Sequence, residues 1–143
     1  MTLRRILSAG VVVVRHEQGE WRVLLLRAYK YWDCPKGMVE AGEDPLATAK
    51  RETREEASIE DLDFRWGETF IETEPYSNNK VARYYLAESR SGDVKLPVSE
   101  ELGLPEHQEF RWVTFEESQA LTVPRITSVL AWARKCVSAG PTV

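Results

Sequence analysis

The stretch from Gly37 to Ile59 constrains the fold more than any other part of the chain, because its second half predicts an amphipathic helix. Asp44 is a good N-cap residue, since its carboxylate can accept hydrogen bonds from the free backbone N–H groups of a helix start. Pro45 suits the first helical position, where its missing donor is harmless. The pattern changes after Ala57, which predicts that the helix ends there.

Two neighbouring faces of this helix carry different side chains. A packing face is predicted from small and apolar residues that recur at spacings of three and four, namely Leu46, Ala49, Thr53 and Ala57. The next face carries the carboxylates of Glu52, Glu55 and Glu56. Like charges at these spacings repel one another, and Arg51 alone does not balance them. A divalent cation that prefers oxygen ligands, Mg²⁺ or Mn²⁺, would do so; the alternative is a solvated acidic face.

The residues ahead of the helix favour the metal site. Their pattern resembles the Nudix box, G-x5-E-x7-R-E-U-x-E-E-x-G-U, in which U is a bulky aliphatic residue. The matching positions are Gly37, Glu43, Arg51, Glu52, Glu55, Glu56 and Ile59. Thr53 replaces an aliphatic residue, and Ser58 replaces a helix-ending glycine at a position where φ > 0 is expected. The resemblance implies the α/β (α+β) fold of Nudix hydrolases, an α/β/α sandwich around a mixed sheet, with residues 1–143 as one domain.

The order of predicted elements fits that sandwich. Two nearly continuous apolar runs, Leu7–Arg15 and Trp21–Arg27, predict central strands joined by a turn. The other predicted elements are strands at Leu62–Glu72 (with a bulge at Gly67), Val81–Glu88 and Glu109–Thr114, helices at Phe115–Leu121 and Pro124–Val137, and loops at Ala28–Pro35 and Val98–Pro105.

Composition narrows the class of partner and the compartment. A net charge of −4 argues against nucleic-acid binding. The Nudix resemblance implies a small-molecule nucleotide substrate, with an RNA 5′ end as the one exception. The apolar run Ile6–Val14 after Arg4 and Arg5 has some features of a short signal peptide. It is too short to cross a membrane, and its valine content favours a strand. Cys34 and Cys136 lack metal-type spacing and predict reduced thiols in a cytoplasmic protein. We expect a monomer, with a homodimer as the alternative.

The Nudix resemblance implies metal-dependent hydrolysis of a pyrophosphate bond in a nucleoside diphosphate linked to another group. The metal ligands that it implies in the box are Gly37, through its carbonyl, Glu52, Glu55 and Glu56. Glu55 is also a candidate catalytic residue. Glu43 is expected to lie behind the ligands, and Arg51 to hold a glutamate by an ion pair that supports catalysis. The alternative for Arg51 is an ordinary surface salt bridge.

Three stretches resemble the asymmetric diadenosine tetraphosphate hydrolases more specifically. They are WDCPKGMVEAGE from Trp32, KVARYYLAE from Lys80 and PEHQEFRWV from Pro105. Met38 and Pro105 stand where those proteins usually have histidine. The glutamate that matches Glu106 lies at their metal site, so Glu106 is a candidate metal ligand or catalytic base, against the alternative of an exposed loop carboxylate. His107 is expected to be structural.

The same resemblance implies the contacts to substrate. The candidates are Lys36, Lys80, Tyr84, Tyr76 and Trp32. The two lysines are expected to contact phosphates, and Tyr84 to stack on adenine, which contributes roughly 1–3 kcal/mol per base. Strand alternation places Tyr84 and Tyr85 on opposite faces of the sheet, so only one of them can stack. The alternative is that these tyrosines belong to the core or the surface.

These patterns predict asymmetric cleavage of diadenosine tetraphosphate to ATP and AMP with Mg²⁺ or Mn²⁺. A substrate marker after the box is ambiguous. Tyr76 lies 17 residues past Ile59, as in dinucleoside polyphosphate hydrolases, and Pro75 lies 16 residues past it, as in ADP-ribose pyrophosphatases. An RNA 5′-pyrophosphohydrolase and an ADP-ribose or nucleotide-sugar pyrophosphatase therefore stay open. Outside enzymes, the alternative is a nucleotide sensor without catalysis, although such a sensor need not keep the three box glutamates.

Overall fold

The elements follow the predicted order in the computed structural model, which describes residues 5–140. The strands are β1 Ile6–Glu17, β2 Glu20–Ala28, β3 Tyr31–Asp33, β4 Lys36–Met38, β5 Leu62–Asp63, β6 Phe70–Glu72, β7 Lys80–Ser89 and β8 Glu109–Thr114. The helices are α1 Pro45–Ala57, α2 Phe115–Leu121 and α3 Pro124–Ala139.

The mixed sheet is centred on β1, which pairs in parallel with β7 and antiparallel with β2. The strand order is β3-β2-β1-β7-β5, while β4 pairs with β1, β6 with β7 and β8 with β2. Gln18 and Gly19 join β1 to β2 with φ values of 53° and 78°, which is the left-handed backbone of a tight hairpin turn. The prediction that the two apolar runs form central strands is confirmed.

Helices cover both faces of this sheet, which confirms the predicted α/β/α sandwich. Alternate residues of β1 enter opposite cores: Val12 and Val14 pack on the side of α3, whereas Val11 and Val13 pack on the side of α1. All four are fully buried, so the valine-rich run lies inside the sheet. Arg4, one of the two arginines ahead of this run, lies outside the described residues. Within residues 5–140, no helix combines the length and apolar character needed to cross a bilayer.

Helix α1 begins and ends as the sequence predicts. The Asp44 carboxylate accepts from the backbone N–H of Ala47 at 3.2 Å, and Pro45 follows as the first helical residue. Ser58 adopts the left-handed conformation, with φ of 61°, and its N–H donates to the Arg54 carbonyl at 2.9 Å. The Ser58 hydroxyl also donates to the Lys95 carbonyl at 3.1 Å. This contact fixes a conformation that glycine adopts more readily.

Two predictions about strands are wrong. The segment Leu62–Glu72 is not one bulged strand, because β5 and β6 flank a turn in which the Gly67 N–H donates to the Phe64 carbonyl at 2.9 Å. The turn brings Trp66 into the core at 4% exposure. The predicted loop Ala28–Pro35 contains the short strand β3, which pairs with β2. This strand has only three residues, Tyr31–Asp33, which is too short to show the alternation of polar and apolar side chains that predicts a strand.

Candidate active site

The site lies where β4 crosses the second half of α1. The backbone N–H of Lys36 donates to Glu56 Oε1 at 3.2 Å. A Cβ on Gly37 would overlap the carboxyl group of Glu52, so a larger residue at this position would displace that carboxylate from its place beside the strand. Two box glutamates therefore face the strand that carries the box glycine.

Arg51 holds the carboxylates on the outer side of the helix. Its Nε and Nη2 atoms donate to the two oxygens of Glu43 at 2.9 and 3.1 Å, which is a bidentate pair. Its Nη1 atom donates to Glu52 at 3.0 Å and to Glu55 at 3.1 Å. The hydrogen bonds from Arg51 lower the pKa of Glu43 to about 2. The predicted ion pair of Arg51 is thus present, and it joins three glutamates rather than one.

Glu56 is the most buried carboxylate of the site, with 8% exposure. Burial, and then the neighbouring carboxylates of Glu106 and Glu52, raise its pKa to about 9. Burial also raises the pKa of Glu52. A desolvated carboxylate among like charges is unfavourable without a compensating cation, and the Lys36 ammonium offsets this environment only in part.

Glu106 and His107 approach Glu56 from the opposite wall. One potential ligand atom from each of these three residues lies within 4.8 Å of the other two. The Nδ1 atom of His107 is buried and has no hydrogen-bond partner among the described residues. Burial lowers the pKa of His107, which favours the neutral ring that binds metals. Glu106 thus lies beside Glu56, and its role as metal ligand or catalytic base stays a prediction. His107 was expected to be structural, but it offers a potential ligand atom next to theirs. The one hint in the sequence was its position directly after Glu106.

A cleft of about 1070 Å³ connects these groups. One wall consists of β4 and the α1 residues Glu52, Glu55 and Glu56, and the other of residues 96–101 with Glu106 and His107. The cleft thus gathers the predicted metal ligands and Lys36. The described residues that line it do not include Lys80, Tyr84, Tyr76 or Trp32.

The expectation that Tyr84 stacks on adenine is wrong in this structure. Its side chain has no exposed surface, and its hydroxyl donates to Asp33 Oδ1 at 2.9 Å. The parallel neighbour β1 places the ring in the core beneath α3, so neither ring face is open to a base. Tyr85 points to the opposite core and is 5% exposed. Alternation is therefore confirmed, but both tyrosines are core residues.

Lys80, Tyr76 and Trp32 also lie outside the cleft, so Lys36 is the one candidate substrate residue among those described that lines it. Lys80 is exposed at the start of β7 and pairs with Tyr76 across a short turn. The Tyr76 ring is partly buried, and the Arg125 guanidinium lies 3.9 Å from its centroid. Trp32 is 8% exposed, with the Arg111 guanidinium 4.8 Å from its ring. No sequence pattern predicted that Arg125 and Arg111 contact these rings.

The NUDIX domain family matches residues 4–133. The chain belongs to the Nudix family. The mouse (Mus musculus) asymmetrical bis(5′-nucleosyl)-tetraphosphatase is 40% identical over 105 residues, which cover 66% of this chain and 65% of that protein. The Caenorhabditis elegans protein of the same name is 35% identical over 118 residues, covering 78% and 80%. The Nudix chain therefore matches less than two thirds of the mouse protein's length.

Solved Nudix structures share this fold. A C. elegans Ap4A hydrolase in a binary complex has a TM-score of 0.77 at 28% identity, covering 94% of this chain and 98% of that one. A Nudix hydrolase of Listeria monocytogenes has a TM-score of 0.71 at 21% identity, over 96% and 98%. The similarity to the Listeria protein shows only a shared fold.

Proposed function

We propose that this Nudix protein hydrolyses diadenosine tetraphosphate asymmetrically to ATP and AMP, with Mg²⁺ or Mn²⁺ as its metal. Two observations support the substrate: the names of the mouse and C. elegans relatives, and the likeness to the C. elegans Ap4A hydrolase. The observation that carries the chemistry is the meeting of Glu56, Glu106 and His107 in the cleft.

The donor set of this cluster fits a divalent cation. Glu56 is a buried carboxylate whose protein neighbours include two further carboxylates, and the His107 Nδ1 atom is buried without a partner in the described chain. A cation would satisfy both groups. We assign Glu52, Glu56 and Glu106 as the residues that hold the metal, with Glu55, His107 and the Gly37 carbonyl as further candidates. A divalent metal withdraws charge from phosphoryl oxygens and makes bound water more acidic.

The chain's own residues have distinct roles in this proposal. Lys36 lines the cleft beside Glu56 and supplies a positive charge for a phosphate. Arg51 contacts Glu43, Glu52 and Glu55 and keeps the carboxylates in one arrangement. Glu106 is exposed on the opposite wall, where it can hold metal or accept a proton from water.

The two nucleosides need contacts beyond the carboxylates. Lys80 and Tyr76 are adjacent in a short turn, and we retain this pair as a candidate contact for the distal phosphate and base. Trp32 is retained as a weaker candidate, because it is nearly buried. Both cysteines are free thiols, which agrees with a cytoplasmic protein; we include that compartment, and a monomeric state, in the proposal.

A panel of nucleotides with Mg²⁺ or Mn²⁺, with products separated by chromatography, tests the function. Diadenosine tetraphosphate should give equal amounts of ATP and AMP. Two equivalents of ADP would contradict asymmetric cleavage. Faster turnover of ADP-ribose, a nucleotide sugar or 5′-triphosphate RNA would move the assignment to another Nudix activity, and nucleotide binding without turnover would indicate a sensor.

A further inference from the structure

The hydroxyl of Tyr84 is a polar group inside an apolar core. The ring is fully buried on the α3 side of the sheet. Burial and the nearby Asp33 carboxylate hold the pKa of Tyr84 well above its usual value, so the hydroxyl stays protonated as a donor. A buried hydroxyl costs free energy unless it is hydrogen-bonded, and it donates to Asp33 Oδ1 at 2.9 Å.

Asp33 connects this core to the edge of the cleft. Its Oδ1 atom also accepts the backbone N–H of Cys34 at 2.7 Å. Its Oδ2 atom lies 3.5 Å from the Nζ atom of Lys36. Two donors from buried residues thus fix one oxygen, and the rigid carboxylate plane fixes the direction of the other.

The ion pair with Asp33 constrains the side chain of Lys36. Its backbone N–H is bound to Glu56, and its side chain is about a quarter exposed at the cleft. Burial alone would lower the pKa of Lys36, but the Asp33 carboxylate and other neighbours hold it above the usual value. A long flexible side chain loses much rotamer freedom when it is held in one place. Holding it before the substrate arrives removes that loss from the binding step.

We propose that Tyr84 is a positioning residue, which orients the Lys36 ammonium toward a polyphosphate through the carboxylate of Asp33. The proposal rests on the proposed function in one respect, the contact between Lys36 and a substrate phosphate. It gives a functional reason for a tyrosine, rather than a phenylalanine, at a fully buried position.

Tyr84→Phe removes only the hydroxyl and keeps the ring in the core. Tyr85→Phe is a matched control, because Tyr85 is the next residue of the same strand, is also buried and faces the other core. Tyr84→Phe should raise KM for diadenosine tetraphosphate about 5-fold, the factor that a hydrogen bond of ordinary net strength represents, with a smaller change in kcat. Tyr85→Phe should leave KM unchanged.

A double-mutant cycle separates positioning from general loosening of the fold. In a Lys36→Met background, Tyr84→Phe should have no further effect on KM, because the residue that it positions is gone. An equal increase of KM in both backgrounds would overturn the proposal, as would equal effects of Tyr84→Phe and Tyr85→Phe.

A measurement without turnover keeps this test independent of the proposed activity. NMR relaxation of the Lys36 side-chain ε-carbon should show greater mobility in Tyr84→Phe than in wild type or Tyr85→Phe. Unchanged mobility would refute the positioning role even if the enzyme is active. Increased mobility in a protein that does not cleave diadenosine tetraphosphate would support the positioning role while the proposed substrate fails.

Discussion

Replacing Glu56 by glutamine should make the metal-free protein more stable at neutral pH. The folded state raises the pKa of Glu56 from 4.5 to about 9, so folding keeps a proton that the unfolded chain releases. The sign follows from linkage: the contribution of Glu56 to stability is greatest below pH 4.5, falls as pH rises from there to about 9, and is level above that range. Glutamine keeps an oxygen acceptor for the Lys36 N–H and removes the titration.

The size of the effect comes from the same shift. Each pH unit above the ordinary pKa of 4.5 contributes about 1.4 kcal/mol. At about pH 7 the difference between Glu56→Gln and wild type is therefore on the order of 3 kcal/mol in favour of the variant, and it should vanish near pH 4. Urea unfolding in the presence of a chelator, at both pH values, measures it.

Glu55→Gln is the matched control on the same helix. Glu55 has a half-exposed side chain and an ion pair with Arg51, so its replacement should change stability by less than about 1 kcal/mol, and in the destabilising direction. Saturating Mn²⁺ should reverse the order of wild type and Glu56→Gln, because binding to the folded state stabilises the wild type. A Glu56→Gln variant that is less stable than wild type at neutral pH without metal would refute the reasoning.

Three further predictions concern activity and the core. Glu55→Gln and Glu56→Gln should each keep the fold and lose most turnover. The measurement is kcat as a function of Mg²⁺ concentration. A variant with near-wild-type kcat would show that its glutamate is not a metal ligand. Glu106→Gln should lower kcat more than it raises KM, because the loss falls on the transition state, and an unaltered pH–rate profile with unaltered kcat would make Glu106 an ordinary loop residue. Tyr84→Ala and Tyr85→Ala should each lower the free energy of unfolding by roughly 3–5 kcal/mol, since both rings are buried; a normal urea midpoint for either would contradict its core position.

Local rules predicted the helix of the box and its caps. Asp44 and Pro45 mark a helix start through hydrogen bonding and backbone geometry that do not depend on the rest of the fold. Ser58 was predicted at positive φ because the matching position in the family pattern is glycine, and the structure has it at 61°. The contact of Gly37 with Glu52 depends on tertiary packing, and the resemblance alone indicated that glycine was needed there.

The positions of Tyr84 and His107 could not be predicted in the same way. Strand alternation tells which residues share a face, but both faces of β7 are covered, so alternation could not distinguish a ligand-facing tyrosine from a core tyrosine. The approach of His107 to Glu56 joins residues 51 positions apart in the chain. Neither periodicity nor composition carries information about that distance.

The unlike walls of the cleft have a consequence for how its specificity can change over evolution. The wall with the box glutamates belongs to α1 and to the sheet through β4, so insertions there would disturb regular secondary structure and substitutions would change the carboxylates themselves. Most of the facing wall, residues 96–101, is loop whose only strand-like pairing is a single bridge between Val98 and Pro105. Loops of this kind tolerate substitution and insertion. We expect relatives with different nucleotide preferences to differ mainly in this loop, while the carboxylate wall stays the same.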